Sequence, residues 1–256
     1  MSGSPLNVWR THDGALLRLR LARPKANVLD AAMIAALDAA LTAERGRGTT
    51  LALLIDAEGP HFSFGASVEE HLPAACAAML RGFHAVLLRL LAAPAPVLFA
   101  VRGQCLGGGL ELALTGTRIF AAPEAMFGQP EIRLGVFAPA ASCLLPERIG
   151  RAAAEDLLLS GRSLRAAEAL ATGLIQDVAA DPEAAAIAWF EANLADKSAA
   201  ALRLAMAAAR SDLVERARAR LAALEILYLD ELMQTRDALT GLQAFLAKRT
   251  PVWEHR

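Results

Sequence analysis

Apolar and polar residues alternate through Ala15–Leu21, where Leu17, Leu19 and Leu21 are separated by Arg18 and Arg20, which is the period of a strand. Arg23-Pro24-Lys25-Ala26-Asn27 breaks that pattern. From Asp30 to Glu44 the apolar residues Met33, Ile34, Leu37 and Leu41 recur at helical spacing, and Asp30 is placed to cap the helix. Thr50–Asp56 is a run of strand length and buried composition, closed by Glu58-Gly59-Pro60. A loop at Phe62–Ala66 leads to a long helical stretch from about Pro73 to Ala92, ended by Pro94 and Pro96. Val97–Val101 predicts another strand, running into Gly107-Gly108-Gly109 and a helix over Leu110–Leu114. Arg118–Ala122 predicts a further strand, and beyond about Pro139 the chain reads as mostly helical to Ala247.

Strand–helix units come first and helices follow, which predicts an α/β core with a helical C-terminal lobe. We expect residues 1–195 to form the core with its active site and residues 196–256 a helical oligomerisation region. The Ala- and Leu-rich tail has more apolar surface than it buries by itself. A homo-oligomer interface would take it, and so would packing on its own core.

Composition narrows the function. Only 5% of the 256 residues are aromatic and the formal net charge is −1, with no cluster of Lys and Arg, so no nucleic-acid footprint is expected. A small anionic ligand needs only two or three cations and stays open. Cys76, Cys105 and Cys143 lie far apart, form no CxxC pair, and read as reduced thiols of a cytoplasmic protein. Met1–Leu6 lacks a basic segment followed by an apolar run, and the apolar stretches are broken by Arg, His or Pro, so no membrane span is expected. The five histidines show no HExxH spacing and the serines no GxSxG turn, so neither a metal nor a serine nucleophile is expected.

Four segments carry candidate chemistry. In Arg102-Gly103-Gln104-Cys105-Leu106-Gly107-Gly108-Gly109-Leu110-Glu111 a strand ends, three glycines follow and a helix begins. Glycine lets backbone approach a ligand closely, and a helix start offers free N–H groups that can hold a carbonyl oxygen gaining charge. Read alone, the cluster is also a tight turn. Glu111 sits in the first helical turn among Leu110, Leu112 and Leu114, a setting for a structural cap or for a carboxyl with raised pKa. In Phe127-Gly128-Gln129-Pro130-Glu131-Ile132 a second glutamate stands in an apolar, extended context. Paired carboxyls can place a water and supply a proton, one as base and one as acid. Phe62–Ser67 can present another backbone N–H to the same oxygen, or be a plain strand-to-helix turn.

Together these residues resemble the crotonase (enoyl-CoA hydratase) superfamily. The resemblance rests on Gly107–Ala113, on Phe127–Gly135 with its glutamate twenty residues after Glu111, on Arg23–Asn27 and Phe62–Ala66, on Leu158–Arg162 and Ala171–Ile175, and on the tail Ala244–Arg249. It spans nearly the whole chain. It implies a ββα spiral core with a helical C-terminal lobe, an acyl-CoA thioester substrate, no separate cofactor, and a trimer or dimer of trimers joined by C-terminal helices. It also implies that the amides of Ala66 and Gly108 bind the thioester oxygen and that Glu111 and Glu131 handle water and proton. Lys25, Ala26, Val28, Phe64, Gly65, Ala66, Ser67, Val68, Gly107 and Gly108 would hold the CoA ester. Where many members have Asp after the oxyanion alanine, this chain has Ser67, and in place of a glycine-rich segment after the second glutamate it has Phe137-Ala138-Pro139-Ala140-Ala141-Ser142. Those departures fit a pocket reshaped for a ring. Residues 57–68, 102–111 and 135–146 are most similar to members that hydrate ring dienoyl-CoA thioesters in anaerobic aromatic degradation. A hydratase or isomerase of straight-chain or cyclohexenoyl thioesters, and a non-catalytic acyl-CoA binder, remain alternatives.

Overall fold

A computed structural model describes residues 3–256, so the first two residues of the N-terminal segment read above lie outside it. The chain runs β1 (Leu6–Thr11), β2 (Leu16–Leu21), α1 (Ala31–Ala43), β3 (Ala52–Ala57), α2 (Pro73–Leu91), β4 (Val97–Val101), β5 (Gln104–Leu106), α3 (Gly108–Leu114), β6 (Arg118–Ala121) and β7 (Met126–Gly128). It continues through α4 (Pro139–Ile149), α5 (Arg151–Ser160), β8 (Ser163–Arg165), α6 (Ala166–Ala171), β9 (Asp177–Val178), α7 (Pro182–Asn193), α8 (Ala199–Ile226) and α9 (Arg236–Leu246).

Six strands form one sheet in the order β1-β2-β3-β4-β6-β9, antiparallel between β1 and β2 and parallel elsewhere. The central strands read as continuous apolar runs because both faces are covered. Leu53, Ile55, Val97, Phe99 and Ile119 point into the main core with α1 and α2, while Leu54, Leu98 and Phe120 pack on the other side against Phe190 of α7. The alternation in β2 has a different outcome. Arg18 is buried, and both it and Arg20 bond Asp56 of β3, at 2.9 and 2.7 Å.

The Asp30 cap holds: its carboxylate accepts from the Met33 amide at 2.9 Å. The 19-residue helix α2 contains an 18-residue window of mean hydropathy 1.5 and is, by length and composition alone, long and apolar enough to cross a membrane. In the fold its Cys76, Met79, Leu80, Phe83, Leu87 and Leu90 are buried in the main core.

Two further elements depart from the sequence reading, and both shape the site. Helix α3 begins at Gly108, two residues before Leu110, because Gly107 alone makes the break, with φ +52°. The next two glycines are helical and permit close packing: a Cβ on Gly109 would meet the Ser63 side chain at 2.7 Å. Glu131 is not on extended backbone but on a 3-10 turn, Pro130–Leu134, which Pro130 starts. The short strands β5 and β7, each of three residues, are too brief for a period to announce them; they pair in parallel beneath the site.

Candidate active site

The loop after β3 is fixed on both sides. Ser63 N–H donates to the Gln104 carbonyl at 2.9 Å, and Leu106 N–H donates back to Ser63 at 3.0 Å, which aligns the loop with β5. On its other edge Phe64 N–H donates to the Ala26 carbonyl and Leu29 N–H to the Gly65 carbonyl, each at 2.9 Å. This clamping brings Gly65–Ala66 against Gly107–Gly108: a Cβ on Gly108 would stand 3.0 Å from the Ala66 nitrogen, and one on Gly65 3.3 Å from the Gly108 nitrogen. Neither the Ala66 nor the Gly108 N–H has an acceptor among the described residues, and both residues line one cavity of about 420 Å³. Two free amides converging on a cavity are suited to a carbonyl oxygen that gains negative charge.

Glu111 projects from α3 into the same cavity and is almost wholly buried. One of its oxygens accepts from the Ala141 N–H at 2.8 Å, at the start of α4, where free amides favour negative charge. Glu131 arrives from the 3-10 turn, its Oε1 packed so closely on Gly107 that a Cβ there would lie 2.6 Å away. The Gln129 carboxamide faces it. With its nitrogen turned inward, Gln129 donates to the two Glu131 oxygens at 2.9 and 3.1 Å; turned the other way, its oxygen accepts from the protonated acid. Either protonation state of Glu131 therefore has a matching orientation of Gln129.

Burial pushes both carboxyls above the usual carboxylate range. In Glu111 the amides of Ala140 and Ala141 oppose that rise. In Glu131 the charge of Glu111 adds to it. The opposing amides favour the ionised form at Glu111 and the neighbouring charge favours the neutral form at Glu131, an arrangement suited to Glu111 as base and Glu131 as acid.

Phe64, Gly65, Ala66, Val68, Gly107, Gly108, Glu111 and Glu131, all expected at the site, lie on the wall of this cavity. Lys25, Ala26, Val28 and Ser67 do not. Lys25 is exposed, and Ala26 lies beside Phe64 through its carbonyl. The Ser67 carbonyl accepts from His71 Nδ1 at 2.7 Å. Sequence reasoning passed over His71 and the α9 residues Leu242 and Phe245, which also line the cavity. No local pattern marks them, because α9 and the turn carrying His71 reach the site only by tertiary docking, α9 packing on the 130–134 and 69–71 turns. The Ala141 amide was announced only by Pro139 at a helix start. Among the described residues no group of three or more His, Cys, Asp or Glu stands close enough to hold a metal ion.

A sequence profile of the enoyl-CoA hydratase/isomerase family matches residues 11–256. The chain is 59% identical over 255 residues to the cyclohexa-1,5-dienecarbonyl-CoA hydratase of Thauera aromatica, covering 100% of this chain and 99% of that one. It is 36% identical over 212 residues, 80% of each chain, to a probable enoyl-CoA hydratase of Mycobacterium tuberculosis. Among solved structures, the carnitinyl-CoA hydratase of Mycobacterium avium superposes with a TM-score of 0.87 at 27% identity over 100% of both chains. The α/β spiral with a helical C-terminal lobe expected from the sequence is thus the fold observed.

Proposed function

Because this chain belongs to the enoyl-CoA hydratase/isomerase family, we propose that it adds water to cyclohexa-1,5-diene-1-carbonyl-CoA, giving 6-hydroxycyclohex-1-ene-1-carbonyl-CoA. The observation that carries the chemistry is the cavity holding buried Glu111 and half-buried Glu131 beside two free backbone amides. The ring substrate is supported by the full-length likeness to the Thauera aromatica hydratase and by a mostly apolar cavity wall with Phe83 and Phe137.

The thioester oxygen accepts from Ala66 and Gly108 N–H. Glu111 takes a proton from water as the oxygen attacks the β carbon of the ring, and charge flows to the thioester oxygen as a dienolate. Each amide aimed at that charge lowers the barrier by about 3–4 kcal/mol, judged by typical losses on removal. Glu131 then protonates the far end of the former diene, and the remaining double bond shifts to include the thioester-bearing carbon. Water is consumed, one C–O and one C–H bond form, and the net proton passes from Glu131 to Glu111 until the pair re-equilibrates. The CoA moiety runs outward along Lys25, Ala26, Val28 and the Phe64–Val68 loop. The reading extends to a cytoplasmic enzyme of anaerobic aromatic degradation, without a resident cofactor, assembled as a trimer or dimer of trimers through residues 196–256. Three scattered, buried free thiols suit a reducing compartment.

Mass and NMR analysis of the product formed from the dienoyl thioester in heavy-oxygen water tests this. Label on the ring β carbon, with the new hydrogen at the distal position, is the expected result. Preferential hydration of crotonyl-CoA would replace it with a straight-chain reading, and tight ester binding without turnover would make the protein a binder.

A further inference from the structure

The backbone that presents the Ala66 N–H is tied on one side by Leu29, whose N–H donates to the Gly65 carbonyl at 2.9 Å. That carbonyl and the Ala66 N–H belong to the same peptide unit. Past Ala66 the same edge loosens, and Ser67 N–H reaches the Leu29 carbonyl only at 3.4 Å. The short bond on this side comes from His71, which ends the 3-10 turn Glu69–His71. The turn carries its ring back over the residue four positions earlier, so that Nδ1 lies 2.7 Å from the Ser67 carbonyl oxygen. A carbonyl only accepts, so Nδ1 holds the ring proton and donates it. Burial keeps the imidazole below its usual range, so the ring is neutral. Its place is set on both faces: it lines the cavity with the two glutamates, and the buried ring of Tyr228 backs it at a centroid distance of 6.5 Å.

We propose that His71 is a positioning residue of the oxyanion hole: its Nδ1–H holds the Ser67 carbonyl and so fixes the direction in which the Ala66 N–H points at the thioester oxygen. The Ser67 carbonyl lies two peptide units beyond that N–H. With Leu29 on the near side and His71 on the far side, the donor is held from both directions before substrate arrives. Donors aimed in advance at developing charge are what make such a site effective, and a displacement of about 1 Å can cost about 10²-fold in rate. The tie does not depend on the protonation state of the ring, because Nδ1 carries a hydrogen in the neutral form present here and in the charged form alike. His71 exchanges no proton and makes no covalent bond; it acts through Ala66. This role rests on the hydratase reading above, in which the thioester oxygen lies between Ala66 and Gly108.

Two substitutions in the full chain separate the bond from the bulk of the ring. His71→Asn keeps an N–H donor close to where Nδ1 stands, and His71→Leu removes the donor while keeping apolar volume against Tyr228. In His71→Leu, kcat on the dienoyl thioester should fall roughly 10- to 100-fold with KM within about threefold, and His71→Asn should recover kcat to within about fivefold of wild type. Cyclohexanecarbonyl-CoA, which has no double bond to hydrate, reports on the amides without turnover. Its thioester C=O stretch should move to lower frequency when bound to wild type or His71→Asn, and move less when bound to His71→Leu. Nitrogen NMR of the wild type should show His71 protonated at Nδ1. Unchanged kcat and stretch in a folded His71→Leu, or no recovery in His71→Asn, overturns the positioning role. So does an unprotonated Nδ1 in the wild type, a measurement that needs no variant to fold. A wild type inactive on the dienoyl thioester that still lowers the stretch through His71 overturns the ring-hydratase reading and leaves the positioning role standing. No shift in the wild type overturns the oxyanion assignment and this role with it.

Discussion

Replacing Gly108 with alanine places a methyl group where the two free amides meet. Its carbon would stand 3.0 Å from the Ala66 nitrogen, 3.3 Å from the Ala66 Cβ and 3.5 Å from Phe83 Cε1. An oxygen accepting from the Ala66 N–H must itself come within about 2.7–3.2 Å of that nitrogen, so methyl and oxygen compete for the same space. Losing one such donor typically costs about 2.7–4 kcal/mol, or 10²- to 10³-fold in kcat. The folding cost is separate and small. Gly108 lies in α3 and is not at positive φ, so alanine is favoured there over glycine by about 0.5–1 kcal/mol. That gain offsets the few tenths of an ångström by which Ala66 must yield. Steady-state kinetics on the dienoyl thioester, run beside a thermal melt, separates the two effects. A fall in kcat/KM of roughly 100-fold or more with a melting temperature near wild type is expected. If Gly108→Ala kept kcat/KM within about threefold at unchanged stability, the amides of Ala66 and Gly108 would not be the oxyanion donors, and the assignment would be refuted.

Glu111→Gln and Glu131→Gln should each lower kcat by about 10²- to 10⁴-fold, with smaller changes in KM; near-wild-type turnover in either would remove that residue from the chemistry. Both carboxyls titrate above the ordinary 4.5 in the folded protein. The folded state therefore holds more protons than the unfolded chain in the range just above that value, and their contribution to stability is lost as pH rises through the folded pKa values. Glu131→Gln removes its share of this loss, so its melting temperature should gain on wild type as pH increases; a constant difference across pH would contradict the raised pKa. The same pair predicts a bell-shaped kcat/KM profile. The acid limb, from protonation of Glu111, is displaced above 4.5, and the alkaline limb, from loss of the Glu131 proton, disappears in a melt-verified Glu131→Gln variant along with most activity. Gly241→Ala would put a Cβ 2.0 Å from the Leu134 carbonyl oxygen. It should push α9 off the turn carrying Glu131, cost about 1–3 kcal/mol in stability, and reduce kcat, whereas unchanged activity would show that α9 docking does not hold Glu131 in place.

Long elements were legible because backbone geometry fixes their periods. Met33, Ile34, Leu37 and Leu41 mark α1, Asp30 marks its start, and the uninterrupted apolar runs mark β3 and β4. The two glutamates and the glycines were legible as residue types that acyl-thioester chemistry needs, made specific by their likeness to a family. Three-residue strands such as β5 and β7 carry too few positions to show a period. What only the tertiary structure decided is the cavity itself. Glu111 is buried and anchored by an amide thirty residues further along, at Ala141, not by its apolar sequence neighbours. Leu242 and Phe245 line the site from α9. Sequence spacing reports which way neighbouring side chains point along one element. Which groups lose water together depends on contacts between elements distant along the chain, and that loss of water is what raises the carboxyl pKa values and leaves two amides free for the substrate.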